Sequence, residues 1–215
     1  MPTMTMGLRL LCAGWLACWA AGAAAEPATL ARIAARIEHY PVLRAEFVQT
    51  RQMAEMKRPL LTRGRLTFAR GQGVLWQIEQ PMRMSYVLGE ERVVEIGSDG
   101  VRRERALREV PGLAQVGRVL RALLGADLGA LQEYFDVVVD GDEGRWEITL
   151  KPRQAQLAQF LSGMQLSGTR FVEAIVISEA GGDTTQIRFR DTQGAAAPNE
   201  AELQLFGGDK AAPRR

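Results

Sequence analysis

Few side chains in this sequence could do chemistry, and their spacing does not support it. His39 is the one histidine in 215 residues. It stands beside Tyr40, and no nucleophile motif accompanies it for a general base to activate. Asp140-Gly-Asp142-Glu143-Gly144 gathers carboxylates as a calcium loop would. It lacks the ladder of ligands and the closing glutamate such a loop needs, so a hairpin turn accounts for it better. Gly71-Gln-Gly73 precedes a strand pattern and not a helix, so its amides form no phosphate cradle. Arg102-Arg-Glu-Arg105, with Arg108-Glu109 close behind, mixes both signs of charge. A solvated edge strand explains it; an acidic docking partner is the alternative. The sequence therefore predicts no enzyme, no metal site and no cofactor.

The N-terminus explains the cysteines. Arg9 ends a short basic region, LLCAGWLACWAAGAAA is an apolar run too short to span a bilayer, and Ala23-Ala24-Ala25 offers small residues for cleavage. The expected arrangement is a signal peptide over 1–25, a single domain over 26–206 and a flexible tail over 207–215, with export to the periplasm. Cys12 and Cys18 both leave with the signal, and with them any thiol nucleophile, disulfide or cysteine metal site. The whole chain has 27 Lys+Arg against 25 Asp+Glu. That balance lacks the basic footprint of a nucleic-acid partner.

The positioning elements are mostly strands. Leu30, Ile33, Ala34 and Ile37 mark a helix that starts at Pro27 and stops at Pro41. Period-two patterns over 42–53, 60–70, 73–80, 82–88, 91–97 and 101–106 follow, separated by Pro81, Gly89 and Ser98-Asp-Gly100. After Pro111 the period changes. Leu113, Val116, Leu120, Leu123 and Leu124 line one side of a helix, with Arg118 and Arg121 on the other, and a second short helix runs to Leu131. Strands resume over 135–140 and 145–151. A short helix over 154–161, with Leu157, Phe160 and Leu161 on one face, separates them from strands over 164–167, 171–179, 184–190 and 201–206. The fold predicted is mainly β, in the α+β class: a curved antiparallel sheet of about eleven strands, its apolar face covered by short helices.

The apolar strand positions stand out. Phe47, Leu66, Phe68, Trp76, Ile78, Met84, Tyr86, Trp146, Ile148, Leu150, Ile175, Ile177, Ile187 and Phe189 all fall on alternating positions. Alternation gives them a common face, but it does not separate a packed core from a lined cavity.

At these residues the chain resembles the outer-membrane lipoprotein carrier family of the LolA type. The motifs occur in the family's order from about residue 30 to 206. Phe47-Val-Gln49 comes first, then Gly64-Arg-Leu66 leading to Arg70, then a Trp-bearing strand ending Gln80-Pro81. Trp146-Glu-Ile-Thr-Leu-Lys-Pro152 and the strands around Gly181-Gly-Asp183 complete the set. The resemblance implies an incomplete barrel whose concave face, lined by the fourteen residues above, holds acyl chains under a lid of helices. It also implies a monomer that takes a lipoprotein or lipid from an inner-membrane exporter towards an outer-membrane acceptor. Arg70 matches the family's lid latch, with Gly71 where the family has proline. The alternative expectation is a fixed periplasmic adaptor that uses the same fold to bind another envelope protein.

Overall fold

The computed structural model describes residues 32, 33, 35, 40–109, 117, 119, 121, 122, 124, 128–141 and 144–207. Eleven strands form one antiparallel sheet: β1 (Val42–Gln52), β2 (Leu60–Ala69), β3 (Gly73–Gln80), β4 (Met84–Leu88), β5 (Arg92–Ile96), β6 (Arg102–Ala106), β7 (Phe135–Gly141), β8 (Trp146–Pro152), β9 (Leu161–Gly168), β10 (Val172–Glu179) and β11 (Thr184–Ala195). Their spatial order is β6-β5-β4-β3-β2-β1-β11-β10-β9-β8-β7. Two runs of hairpins thus meet at the centre, where β1 pairs with β11. The two ends, β6 and β7, do not pair, so the curved sheet stays open. β6 is the Arg102–Arg105 stretch, and its exposed charges suit an edge that must not recruit another strand.

Local sequence explains most of this. Phe68 pairs with Val74 and Leu66 with Trp76 across the β2–β3 hairpin, whose turn ends at Gly73 with φ 112°. A side chain at Gly73 would also run into the Leu88 carbonyl oxygen. Gly64 is required for a different reason. A Cβ there would overlap the Gln77 carbonyl, at a bulge between β2 and β3. In β11 the register slips opposite Arg44 and Glu46, and Asp191 takes φ 51°. A bulge of this kind bends the strand and adds curvature at the sheet's centre.

One apolar cluster fills the concave face. Phe47, Leu66, Phe68, Val74, Trp76, Trp146, Ile148, Leu150, Leu166, Ile175 and Phe189 come from the sheet, and Ile33, Val119, Ala122, Leu124 and Leu131 from helical residues above it. A second, smaller cluster lies on the convex face, where Leu75, Val87, Val94 and Ile96 meet Leu205 and Phe206. Val74-Leu75-Trp76 is therefore buried on both faces of β3, a local departure from alternation.

Three expectations need correction. Residues 201–206, predicted as a strand, belong to a helix, Glu200–Phe206. Asn199 and Glu202 form a reciprocal capping box, and Gly207 ends the helix at φ 94°. Asn-x-x-Glu before an apolar run followed by glycine is a helix signature, and it outweighs the chance alternation of Ala201, Leu203 and Leu205. Phe160, predicted to share an apolar face with Leu157 and Leu161, is 61% exposed, because the helix there is only Ala155–Ala158. Arg121, predicted on the solvent side, is half-buried and bonded to the sheet. Leu30, Ala34, Ile37, Leu113, Val116, Leu120, Leu123, His39, Asp142, Glu143, the signal segment 1–25 and the tail beyond Gly207 lie outside the described residues.

Candidate functional site

The concave face is built by the period of two. On β1, Leu43, Ala45 and Phe47 point inward; their register partners Phe68, Leu66 and Gly64 do so on β2. On the other side Phe47 faces Phe189 of β11, while Ile175 of β10 joins Ile187. The Phe47 and Trp76 rings lie 4.1 Å apart, and Trp76 meets Phe189 edge-on at 6.5 Å. The first pair is tilted by 36° and the second is edge-on, an arrangement that suits the quadrupoles of the rings. Gly64 makes room for them: the Phe47 ring lies 3.0 Å from where its Cβ would stand.

Ten of the fourteen predicted wall residues are buried in this one cluster: Phe47, Leu66, Phe68, Trp76, Trp146, Ile148, Leu150, Ile175, Ile187 and Phe189. Ile78, Tyr86 and Ile177 are half-buried and pack against it. Met84 is half-buried opposite Ile78, and the Tyr86 hydroxyl donates to its sulfur at 2.7 Å. Burial first, and Glu95 second, raise the Tyr86 hydroxyl's pKa above its ordinary value, so it stays neutral. Trp146 hides its one polar atom by donating to the Thr169 carbonyl at 2.7 Å. Leu43, Ala45, Val74, Leu88, Leu166 and Val172 belong to the same face. They carried the same period-two signal but not the aromatic emphasis.

Between these helical and sheet residues lies a cavity of about 10 Å³, lined by Leu43, Ala45, Leu66, Leu124, Phe171, Val172, Phe189 and Thr192. That is space for about one water, and an apolar wall gives a water no partners. The covering helical residues are held by a polar tie at one end of the sheet. Arg121 donates to the Gly89 carbonyl at 2.8 Å and reaches the Leu88 carbonyl at 3.5 Å. These carbonyls end β4, so the tie joins the helical residues 117, 119, 121, 122 and 124 to the sheet rim. Gly117 lies against the Leu88 side chain, where a Cβ would come to 3.5 Å. Arg70 lies in the β2–β3 turn. Its backbone N–H donates to the Pro41 carbonyl at 2.9 Å, its side chain is exposed, and no described residue partners its guanidinium.

The arrangement offers apolar area, lined by the strand residues named above. Among the described residues, no group of three His, Cys, Asp or Glu side chains is placed to hold a metal. No described helix is long and apolar enough to cross a membrane.

The family model described as "Outer membrane lipoprotein carrier protein LolA-like" matches residues 21–203. No curated protein matches the sequence. Among solved structures, the chain is similar to a LolA superfamily protein from Nitrosomonas europaea, with 8% identity and a TM-score of 0.46 over 82% of this chain and 96% of that one. It is also similar to a putative outer membrane lipoprotein-sorting protein domain from Vibrio parahaemolyticus, with 11% identity and a TM-score of 0.47 over 85% and 96%. The Pseudomonas aeruginosa MucA/MucB complex gives 15% identity and a TM-score of 0.44, over 81% of this chain and 59% of the matched one. The ordered motifs, the open eleven-stranded sheet and the family match over residues 21–203 lead to one conclusion: this chain belongs to the LolA-like family of outer membrane lipoprotein carrier proteins.

Proposed function

We propose that the protein is a periplasmic carrier that binds the acyl chains of a lipoprotein or lipid on its concave face and moves them from an inner-membrane exporter towards the outer membrane. One observation carries this reading. The apolar interior of an open sheet is closed by separate helical residues, tied at the rim by Arg121, and not by a second sheet. A cover of that kind can leave without unpairing strands.

The physical need is large. Burying a methylene is worth ~0.8 kcal/mol, so exposing an acyl chain of about fifteen methylenes costs on the order of 12 kcal/mol. Unassisted passage through water is then suppressed by roughly eight decades. In the closed form Val119, Ala122 and Leu124 occupy the face that an acyl chain would take, so cargo must displace them. Their departure exposes apolar area, and the incoming chain covers it again. Phe47, Trp76 and Phe189 suit such a wall, since aromatic rings offer much area with few torsions to freeze. Export follows the signal segment, with the mature chain starting at Glu26; intact mass of the secreted protein tests that start.

The test of the carrier reading is displacement of a fluorescent fatty acid from purified protein, with hydrogen exchange followed at residues 117–124. A carrier takes up the probe stoichiometrically and loses protection there when it does. The competing reading is an adaptor that uses the same fold to bind another envelope protein. A protein that takes up no probe, with protection at 117–124 unchanged, acts as an adaptor and the carrier reading is withdrawn.

A further inference from the structure

The convex face of the sheet carries a second feature, unrelated to the apolar interior. Beyond the end covered by the C-terminal helix, a groove of about 580 Å³ runs along β1. Its floor is formed by Glu46, Val48 and Thr50, the outward residues of β1, and its walls by β2 and β11. The register fixes what faces what. Glu46 lies between Arg65 and Arg190, and Val48 lies between Arg63 and Arg188. Arg65 is tied to Glu79 at 2.8 Å. Among the described residues, Arg63, Arg188 and Arg190 have no carboxylate within ion-pair distance, although Arg44, Arg51 and Arg92 elsewhere on the sheet each have at least one. Two arginines thus flank an apolar valine, in a row where the neighbouring row supplies a glutamate.

We propose that this groove docks an extended acidic segment of a partner protein, with one carboxylate seated over Val48 between Arg63 and Arg188. The spacing suits such a segment. Strands lie ~4.8 Å apart, so the two guanidinium stems straddle β1 across about 10 Å; successive outward rows repeat every ~7 Å along the strand. An extended peptide lying along β1 repeats its same-face side chains at that same ~7 Å, so a carboxylate on every fourth residue reaches every second row and leaves a neutral side chain over Glu46. Arginine binds carboxylates through paired, charge-assisted hydrogen bonds, and Thr50 and Gln186 offer neutral polar groups beside them. The chain's own segments outside the described residues are poor candidates. Residues 208–215, Gly-Asp-Lys-Ala-Ala-Pro-Arg-Arg, are net basic, and residues 1–31 hold one carboxylate, Glu26.

Fluorescence anisotropy of a labelled peptide with glutamate at every fourth position among threonines tests this on the full mature protein. The expected result is binding that weakens with added salt and falls roughly tenfold or more in Arg63→Glu/Arg188→Glu. Arg105→Glu/Arg108→Glu, which removes two exposed charges at and just beyond edge strand β6, changes it less than about twofold. Thermal melts matched to the parent establish that both variants are folded, and fatty-acid displacement at the opposite face is unchanged in each. Equal loss in the two variants overturns the proposal, because binding would then follow net charge. So does absence of peptide binding. Retention of phosphatidylglycerol vesicles through Arg63 and Arg188 without peptide binding overturns it in favour of a lipid surface, and self-association through the same arginines overturns it in favour of a second copy.

Discussion

Arg44 of β1 and Glu202 of the C-terminal helix, 158 residues apart in sequence, meet through two hydrogen bonds of 2.6 Å each. Glu202 is buried, and its carboxylate also accepts from the Thr67 hydroxyl at 3.2 Å and from the Asn199 backbone N–H at 2.7 Å. One side chain thereby caps its own helix and anchors it across β1 and β2. Arg102 binds the other end of that helix by donating to the Leu205 carbonyl at 2.9 Å. Between these two anchors Leu205 and Phe206 cover the convex cluster.

Replacing Glu202 should therefore release a cover as well as a salt bridge. Glu202→Gln keeps the size but loses the charge that Arg44 needs. A hydrogen bond to a charged group contributes about 1.5–3 kcal/mol, and the urea midpoint should fall accordingly. Hydrogen exchange should rise in residues 200–206 and around Leu75 and Val94. If only the midpoint moves and residues 200–206 stay protected, the helix is held by Leu205 and Phe206 alone.

Acid should act through the same carboxylate. The hydrogen bonds from Arg44, helped by Asn199 and Thr67 against the opposing effect of burial, hold Glu202 below its ordinary value of 4.5. The Ala54 backbone N–H and Arg51 likewise lower Asp183. With the folded pKa below the unfolded one, the unfolded chain binds more protons. The stabilisation is complete above the ordinary carboxylate range and disappears as pH falls through the lowered folded pKa. Urea midpoints should be flat from about pH 7 to 6 and decline below about pH 5. The decline should be shallower in Glu202→Gln; an unchanged slope would remove Glu202 as its source.

Arg121→Leu should loosen the cover over the concave face. Losing its bonds to the Leu88 and Gly89 carbonyls costs about 1.5 kcal/mol or more, which raises the open population roughly tenfold. If acyl chains bind the open form, apparent affinity rises by the same factor. Arg70→Leu made in parallel tests the latch role that family resemblance implies for Arg70. A gain in affinity from Arg70→Leu and none from Arg121→Leu would assign the latch to the hairpin turn.

Trp76→Ala separates wall from core. The ring sits against Phe47 and Phe189, and truncating a buried aromatic costs about 3–5 kcal/mol. The melting temperature should drop. In the protein that stays folded, fatty-acid affinity should drop as well, since the ring is proposed as acyl-binding surface. Unchanged affinity would make Trp76 structural only.

The strands were legible in the sequence because each signal is local. Alternation, glycine at the β2–β3 turn and Pro81 after β3 act within a few residues, and the predicted spans of β1–β3 match the observed ones to within about a residue. The charged edge strand β6 was legible for the same reason. The C-terminal helix is equally local in its cap, yet Ala201, Leu203 and Leu205 alternate as a strand would, whereas the helix packs through Glu202, Leu205 and Phe206 and leaves Leu203 exposed.

Long-range packing decided the rest. Whether Val74-Leu75-Trp76 has one buried face or two depends on Leu205 and Phe206, and nothing near β3 announces them. Arg121 looked solvent-facing until the strand-end carbonyls of Leu88 and Gly89 came within reach. The open carbonyls at a strand's end are invisible to a pattern of side chains. Likewise, Arg63 and Arg188 are 125 positions apart in sequence and become neighbours of Val48 only because β1 pairs with both β2 and β11. The sequence by itself determined the apolar surface and the elements that carry it, since side-chain type and local period are written residue by residue. Which surfaces face one another was decided by the tertiary structure, because register and strand order bring together residues whose sequence separation carries no periodic signal.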